Sequence, residues 1–176
     1  MSFERLIEMT RARFPNNGRF DLLPAESIID VLRREKVPNS PRVYAYFQRD
    51  DFERPLYIGK AGTMMTDGSW RRQGISERLY ETAPRSDSGL AFRDLMAKDS
   101  PTGLTFVWFV TFDQHTKIIP SLIEMELLQA HYDLRGCLPR LNRHVYPQIA
   151  GCPLPAFFAR GAWRFAHRFP QPLCDI

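Results

Sequence analysis

Apolar residues recur at helical spacing in some stretches of the chain and run unbroken in others, and the two patterns predict different elements. Phe3, Leu6, Ile7 and Met9 share a side of a short helix over residues 2–14, which Pro15-Asn16-Asn17-Gly18 breaks. Pro24 opens a second helix to Lys36, with Ile28, Ile29 and Leu32 at helical spacing. Residues 42–47 (Arg-Val-Tyr-Ala-Tyr-Phe) are β-branched and aromatic and read as a strand. Residues 56–59 read as a second, short strand, and the two form a hairpin around Asp50-Asp51 and Pro55. A loop over 61–68 leads to a helix over 70–81, interrupted by Gly74, and to another over 90–98. Residues 104–112 (Leu-Thr-Phe-Val-Trp-Phe-Val-Thr-Phe) are dense enough to be a central strand covered on both faces. Pro120 suits the first turn of a helix over 121–134, with Ile123, Leu127, Ala130 and Leu134 as its core stripe and Gly136 as its stop.

The order of elements is α+β rather than a repeated βαβ unit. It predicts a small three-stranded antiparallel sheet flanked by helices. Residues 1–40 form a helical preface and 41–142 the core. Residues 143–176 form an irregular C-terminal wrap with four arginines, one aspartate and neither lysine nor glutamate.

Composition narrows the class and leaves the partner open. The chain has 176 residues, 44% hydrophobic and 25% charged, which suits one domain with a real core and excludes a collagen or a disulfide scaffold. No apolar run approaches the ~20 residues of a membrane span. The net charge of +4 permits a nucleic acid without demanding one. Cys137, Cys152 and Cys174 are odd in number and widely spaced, which reads as incidental thiols of a reducing compartment. No signal-peptide pattern opens the chain, so the expected location is cytoplasmic.

Residue types able to carry chemistry occur in a fixed order. Tyr44 and Tyr57 lie on the two hairpin strands, and Lys60 follows Gly59. Arg78 comes one helical turn after Ile75. Glu124 precedes Leu127 and Leu128 by three and four positions, and Pro139 and Asn142 follow that helix. This set resembles the GIY-YIG nuclease family. Arg42-Val43-Tyr44 stands for the first half-motif, with Arg42 where the family most often has glycine. Tyr57-Ile58-Gly59 is the intact second half. The resemblance covers roughly residues 42–142, and it rests on the order of five weak motifs.

The resemblance implies a metal-dependent endonuclease acting on DNA, double-stranded DNA above all. In it a tyrosine, Tyr44 or Tyr57, activates water; the margin favours Tyr44. Lys60 and Arg78 supply positive charge, Glu124 holds one Mg²⁺ or Mn²⁺, and Asn142 helps shape the site. The chemistry agrees. A free phenol is a poor base at its pKa of about 10, and a nearby cation favours the phenolate. An arginine can grip two phosphate oxygens. A lone carboxylate with several waters suits Mg²⁺. Arg71 and Arg72, in an inserted loop over 63–74, compete with Arg78, and Glu126 competes with Glu124. Thr82 stands where many relatives have an aromatic, with Tyr80 nearby. His131, two turns from Glu124, reads as a packing residue.

Arg71, Arg72, Arg160, Arg164 and Arg168 are candidate phosphate contacts; the last three are interleaved with Trp163 and Phe165 in a pattern that suits base stacking. The size and lack of appended modules look like a stand-alone restriction or mobile-element branch. A palindrome cutter needs a homodimer or two successive nicks. A non-catalytic nucleic-acid-binding module of the same fold and an effector or toxin nuclease are the competing readings.

Overall fold

A computed structural model of the chain describes residues 2–49, 51–71, 74, 75, 79, 92, 95 and 102–142. The strands are β1 (Asn17–Leu22), β2 (Arg42–Gln48), β3 (Pro55–Ala61), β4 (Thr63–Met64), β5 (Trp70–Arg71) and β6 (Leu104–Val110). The helices among the described residues are α1 (Phe3–Ala12), α2 (Ile28–Arg34) and α3 (Pro120–Arg135).

The unbroken apolar run becomes an inner strand. All seven residues of β6 are buried, and β6 pairs with β1 on one side and β2 on the other. β3 adds to the far side of β2, giving an antiparallel sheet in the order β1-β6-β2-β3. Strand alternation then sorts the side chains. Val43, Ala45, Phe47, Ile58, Val107 and Phe109 face α1 and α3, where Phe3, Ile7, Ile123 and Leu127 meet them. Tyr44, Tyr46, Tyr57, Phe106 and Trp108 face the other way, onto Ile28 and Val31 of α2 and onto Ile75, Leu79, Phe92 and Leu95. Both faces are therefore core, which is why the inner strands carry so few polar residues.

The sheet has four strands, not the expected three. The extra one, β1, lies inside the stretch expected to be a helical preface. Asn17-Gly18 has the composition of a turn, which hid the alternation of Arg19 and Asp21 with buried Phe20 and Leu22. Gly18 is required here. A Cβ on it would stand 2.7 Å from the Trp108 indole, which lies across it. A second departure is the pairing of β4 with β5 where a loop and a helix start were expected. The turn between them is closed by Asp67, which accepts hydrogen bonds from the backbone and hydroxyl of Ser69. The rest of the expected 70–81 and 90–98 helices lies almost wholly outside the described residues, as does the C-terminal wrap.

Helix ends follow local chemistry. The Ser2 hydroxyl caps α1 by accepting from Arg5 N. Pro120 occupies the first turn of α3, and Gly136 ends it in the left-handed conformation. Cys137 is disulfide-bonded rather than the free thiol expected, and its partner lies outside the described residues. Among the described residues no helix is long and apolar enough to cross a membrane.

If β1 is an integral strand, Phe20, stacked on Phe106 at 4.9 Å, carries core energy. Phe20→Ala is expected to lower the unfolding free energy by about 3–5 kcal/mol in urea titration. A near-neutral result would mean that the N-terminal 40 residues are a dispensable preface.

Candidate active site

The tyrosines are brought together by register. Tyr44 stands opposite Gly59, and Tyr46 opposite Tyr57. Tyr57 leans along its strand over Gly59; a Cβ on Gly59 would run into the Tyr57 ring, within 2.8 Å of its hydroxyl. That lean sets the Tyr57 ring 6.0 Å from Tyr44 and stacks it on Tyr46 at 5.3 Å. The glycine of the Tyr-Ile-Gly tripeptide thus makes room for the tyrosine two residues before it. Gly59→Ala could not keep this ring where it is.

Tyr46 is the member that the sequence reading left out, although its alternation with Tyr44 was visible. Its hydroxyl is buried without a hydrogen-bond partner. Burial, and then the neighbouring Tyr57 phenol, push its pKa well above the usual phenol value. Tyr46 is therefore a neutral wall behind Tyr57 and not a candidate base. Of the other two, Tyr57 keeps more exposure, 8% against 1% for Tyr44.

Lys60 does not share the tyrosine face. It pairs across from Val43, so its side chain leaves the sheet on the side covered by α1 and α3. Glu124 belongs to that side as well, on α3. It lies one turn before Leu127 and Leu128 and one turn after Pro120, all buried, so it stands on the inward arc of the helix. It is half-buried there. Glu126 points elsewhere and pairs with Arg13 at 2.7 Å, both side chains nearly half exposed. An ion pair so exposed contributes little, but it accounts for Glu126 as a surface link between the end of α1 and α3. The two glutamates are separated by environment where spacing alone left them in competition.

Asn142 acts on backbone. Its Nδ2 donates to the Ile58 carbonyl at 2.6 Å, and its Oδ1 accepts from the Ile58 N–H at 2.9 Å. Leu141 N donates to the Leu56 carbonyl at 2.9 Å. Among the described residues β3 has no neighbouring strand on this edge, and the 139–142 turn fills the gap. The shaping role expected for Asn142 is thus exerted through the middle residue of the Tyr57-Ile58-Gly59 tripeptide.

His131 is a packing residue. It is 4% exposed, its Nδ1–H donates to the Cys137 carbonyl at 2.9 Å, and its ring meets Phe3 edge-on at 5.4 Å. Arg71, on β5, is exposed. Arg72, Arg78, Arg160, Arg164 and Arg168 lie outside the described residues. Among the described residues no three metal-ligating side chains gather. No known family model, curated protein or solved structure matches this chain.

Removing the Asn142 amide leaves two peptide groups of Ile58 without partners. Asn142→Ala is expected to cost about 2–4 kcal/mol, since each buried unsatisfied group costs ~1–3 kcal/mol. Chemical denaturation measures this, and a loss below roughly 0.5 kcal/mol, the scale of surface substitutions, would contradict the clamp.

A pH dependence follows from His131. Burial, and next the charge of Arg135, hold its pKa below the usual 6.5, against an opposing pull from the Cys137 carbonyl. The unfolded chain then binds the proton first, so this contribution to stability is full above about pH 6.5 and is lost as pH falls towards the folded value. His131→Gln is expected to flatten the fall in unfolding free energy between pH 7 and pH 5. An unchanged slope would show that other groups cause it.

Proposed function

We propose that the protein is a metal-dependent DNA endonuclease of the GIY-YIG type. The observation that carries this reading is the Tyr57-Ile58-Gly59 tripeptide. Each of its residues has a separate task. Tyr57 presents a phenol beside that of Tyr44. The Ile58 peptide is gripped by the Asn142 amide, 84 positions away. Gly59 leaves the space in which the Tyr57 ring lies. An unrelated tripeptide in an edge strand would need none of these.

In-line hydrolysis of a phosphodiester needs a base for water, positive charge on the phosphorane and help for the leaving oxygen. Tyr57, the more exposed of the pair, takes the base role, and Tyr44 stands beside it. This moves the assignment from the Tyr44 favoured on sequence grounds. Arg78 bridges the phosphoryl oxygens, and Lys60 adds charge from the other side of β3.

Glu124, half-buried on the inward arc of α3, is the carboxylate we assign to a divalent ion. One carboxylate without clustered His or Cys suits a hard cation that keeps most of its waters, Mg²⁺ or Mn²⁺, rather than zinc. Such an ion supplies Lewis acidity at the phosphoryl oxygen. The chain's own residues then orient water and hold the phosphate.

Plasmid incubated with Mg²⁺ is expected to be nicked or linearised, and plasmid in chelator is not. Glu124→Gln is expected to abolish cleavage and to leave DNA binding intact, with Glu126→Gln active. Arg78→Ala is expected to lower the rate by about 10²–10³, the effect of one lost transition-state donor. Binding without cleavage under any divalent metal would replace the enzyme with a binding module.

A further inference from the structure

The largest buried polar side chain in the core is not a tyrosine. Arg42 is 1% exposed, and its guanidinium is only partly satisfied. Nε donates to the Ser40 carbonyl at 2.9 Å, while Nη1 and Nη2 have no hydrogen-bond partner. The Trp108 ring, with the guanidinium carbon 5.6 Å from its centroid, offers one soft contact. A guanidinium carries five N–H donors and is strongly penalised when buried without an anion. Burial lowers its pKa to about 10, which still leaves it charged at neutral pH.

Arg42 also lines a cleft of about 440 Å³ between the end of α2 and the start of β2. Arg33 and Lys36 line it too, with Leu32, Val37 and Ile75 as apolar walls, and among the described residues no acidic one lines it. The C-terminal end of α2 borders the cleft, and its partial negative charge works against an anion, which the cations must outweigh. Leu32 O accepts from Val37 N and Arg33 O from Lys36 N, so both are satisfied.

Lys36 is exposed at the rim of the cleft. It has φ +49°, and no other non-glycine residue described has a positive φ. It stands just past α2 at the position where glycine usually ends a helix. Glycine would relieve the strain, yet the chain holds a lysine at the rim of the cleft.

We propose that this cleft is a binding site for a phosphate group, with Lys36 at its mouth and the buried, unpartnered guanidinium of Arg42 as the charge behind it. Neither residue belongs to the proposed hydrolytic set, and the site stands or falls separately from that reading. The phosphate has two sources with one chemistry: a backbone phosphate of a bound nucleic-acid strand, or a free mononucleotide or inorganic phosphate.

Thermal unfolding of the full chain in sodium phosphate, against sodium chloride of equal ionic strength, tests the site. Wild type is expected to gain about 3–6 °C at phosphate tenfold above its dissociation constant. Arg42→Met removes the buried charge and keeps the volume. Lys36→Gly relaxes the backbone and cannot harm the fold by strain. Both are expected to lose most of the phosphate increment while folding normally by circular dichroism. No increment in wild type, or the same increment in both variants, overturns the proposal. Should Arg42→Met fail to fold, Lys36→Gly decides alone.

The source is read in chelator, where no cleavage occurs, from duplex oligonucleotide and from deoxyadenosine monophosphate. A strand phosphate predicts weaker duplex binding in both variants and a salt slope reduced by about one ion. A free ligand predicts unchanged duplex binding and lost mononucleotide binding. Either result supports the phosphate site and names its occupant.

Discussion

Among the described residues strand β3 has no neighbour on its outer side, and the amide of Asn142 takes the place of one. An edge strand exposes a row of peptide groups that must meet water, another chain or a substitute. Here the substitute is a single side chain that both donates to and accepts from Ile58, backed by the Leu141 N–H on Leu56. The arrangement ties the end of α3 to the hairpin of β2 and β3 across 84 positions of sequence. It also fixes the tripeptide that carries Tyr57, because the residue gripped is the one between the tyrosine and the glycine. Fold closure and placement of the tyrosine are the same interaction.

Strand parity imposes the second constraint. Tyr44 and Tyr46 are two apart and share a face, and Tyr57 joins them by register. Lys60, three residues after Tyr57, must leave from the opposite face. A core sheet covered on both sides would ordinarily keep such groups apart. They can act on one phosphate only at the sheet's edge, where the two faces meet. That β3 is the outermost strand is therefore a requirement of the proposed chemistry and not an accident of strand order.

Much of this was legible in the chain. The apolar density of 104–110, the aromatic hairpin and the proline-to-glycine span of the long helix each express one local rule, and each became the expected element. β1 escaped because Asn17-Gly18 carries turn chemistry while Gly18 serves a packing need, room for Trp108, that lies 90 positions away. The distinction between Glu124 and Glu126 escaped for a related reason. Spacing offered both, and only the Arg13 partner and the inward arc of α3 separate them. The shaping role of Asn142 was expected without its route, because no sequence pattern announces a hydrogen bond to backbone. Arg42 stood out in the sequence only as a departure from the family's usual glycine. Its burial with two unpartnered nitrogens makes it the least conventional residue of the sheet.

The edge clamp also determines which part of the hairpin stays approachable. It occupies Leu56 and Ile58, so the outer edge from Gly59 to Ala61 lies beyond it. Cross-strand register puts Tyr44 opposite Gly59, Val43 opposite Lys60 and Arg42 opposite Ala61. Tyr44, the half-buried Lys60 and the buried guanidinium therefore fall on consecutive rungs at one end of one hairpin, with Tyr57 two rungs further along. A rung advances about 3.3–3.4 Å, so Arg42 begins two rungs, ~7 Å, from the row of Tyr44. A strand of nucleic acid laid along that end would meet the phenols at one phosphate and carry its neighbours past the cationic cleft. The cleft proposed at Arg42 would then be a second point of grip on that strand, and a phosphate bound there would offset the cost of burying the guanidinium.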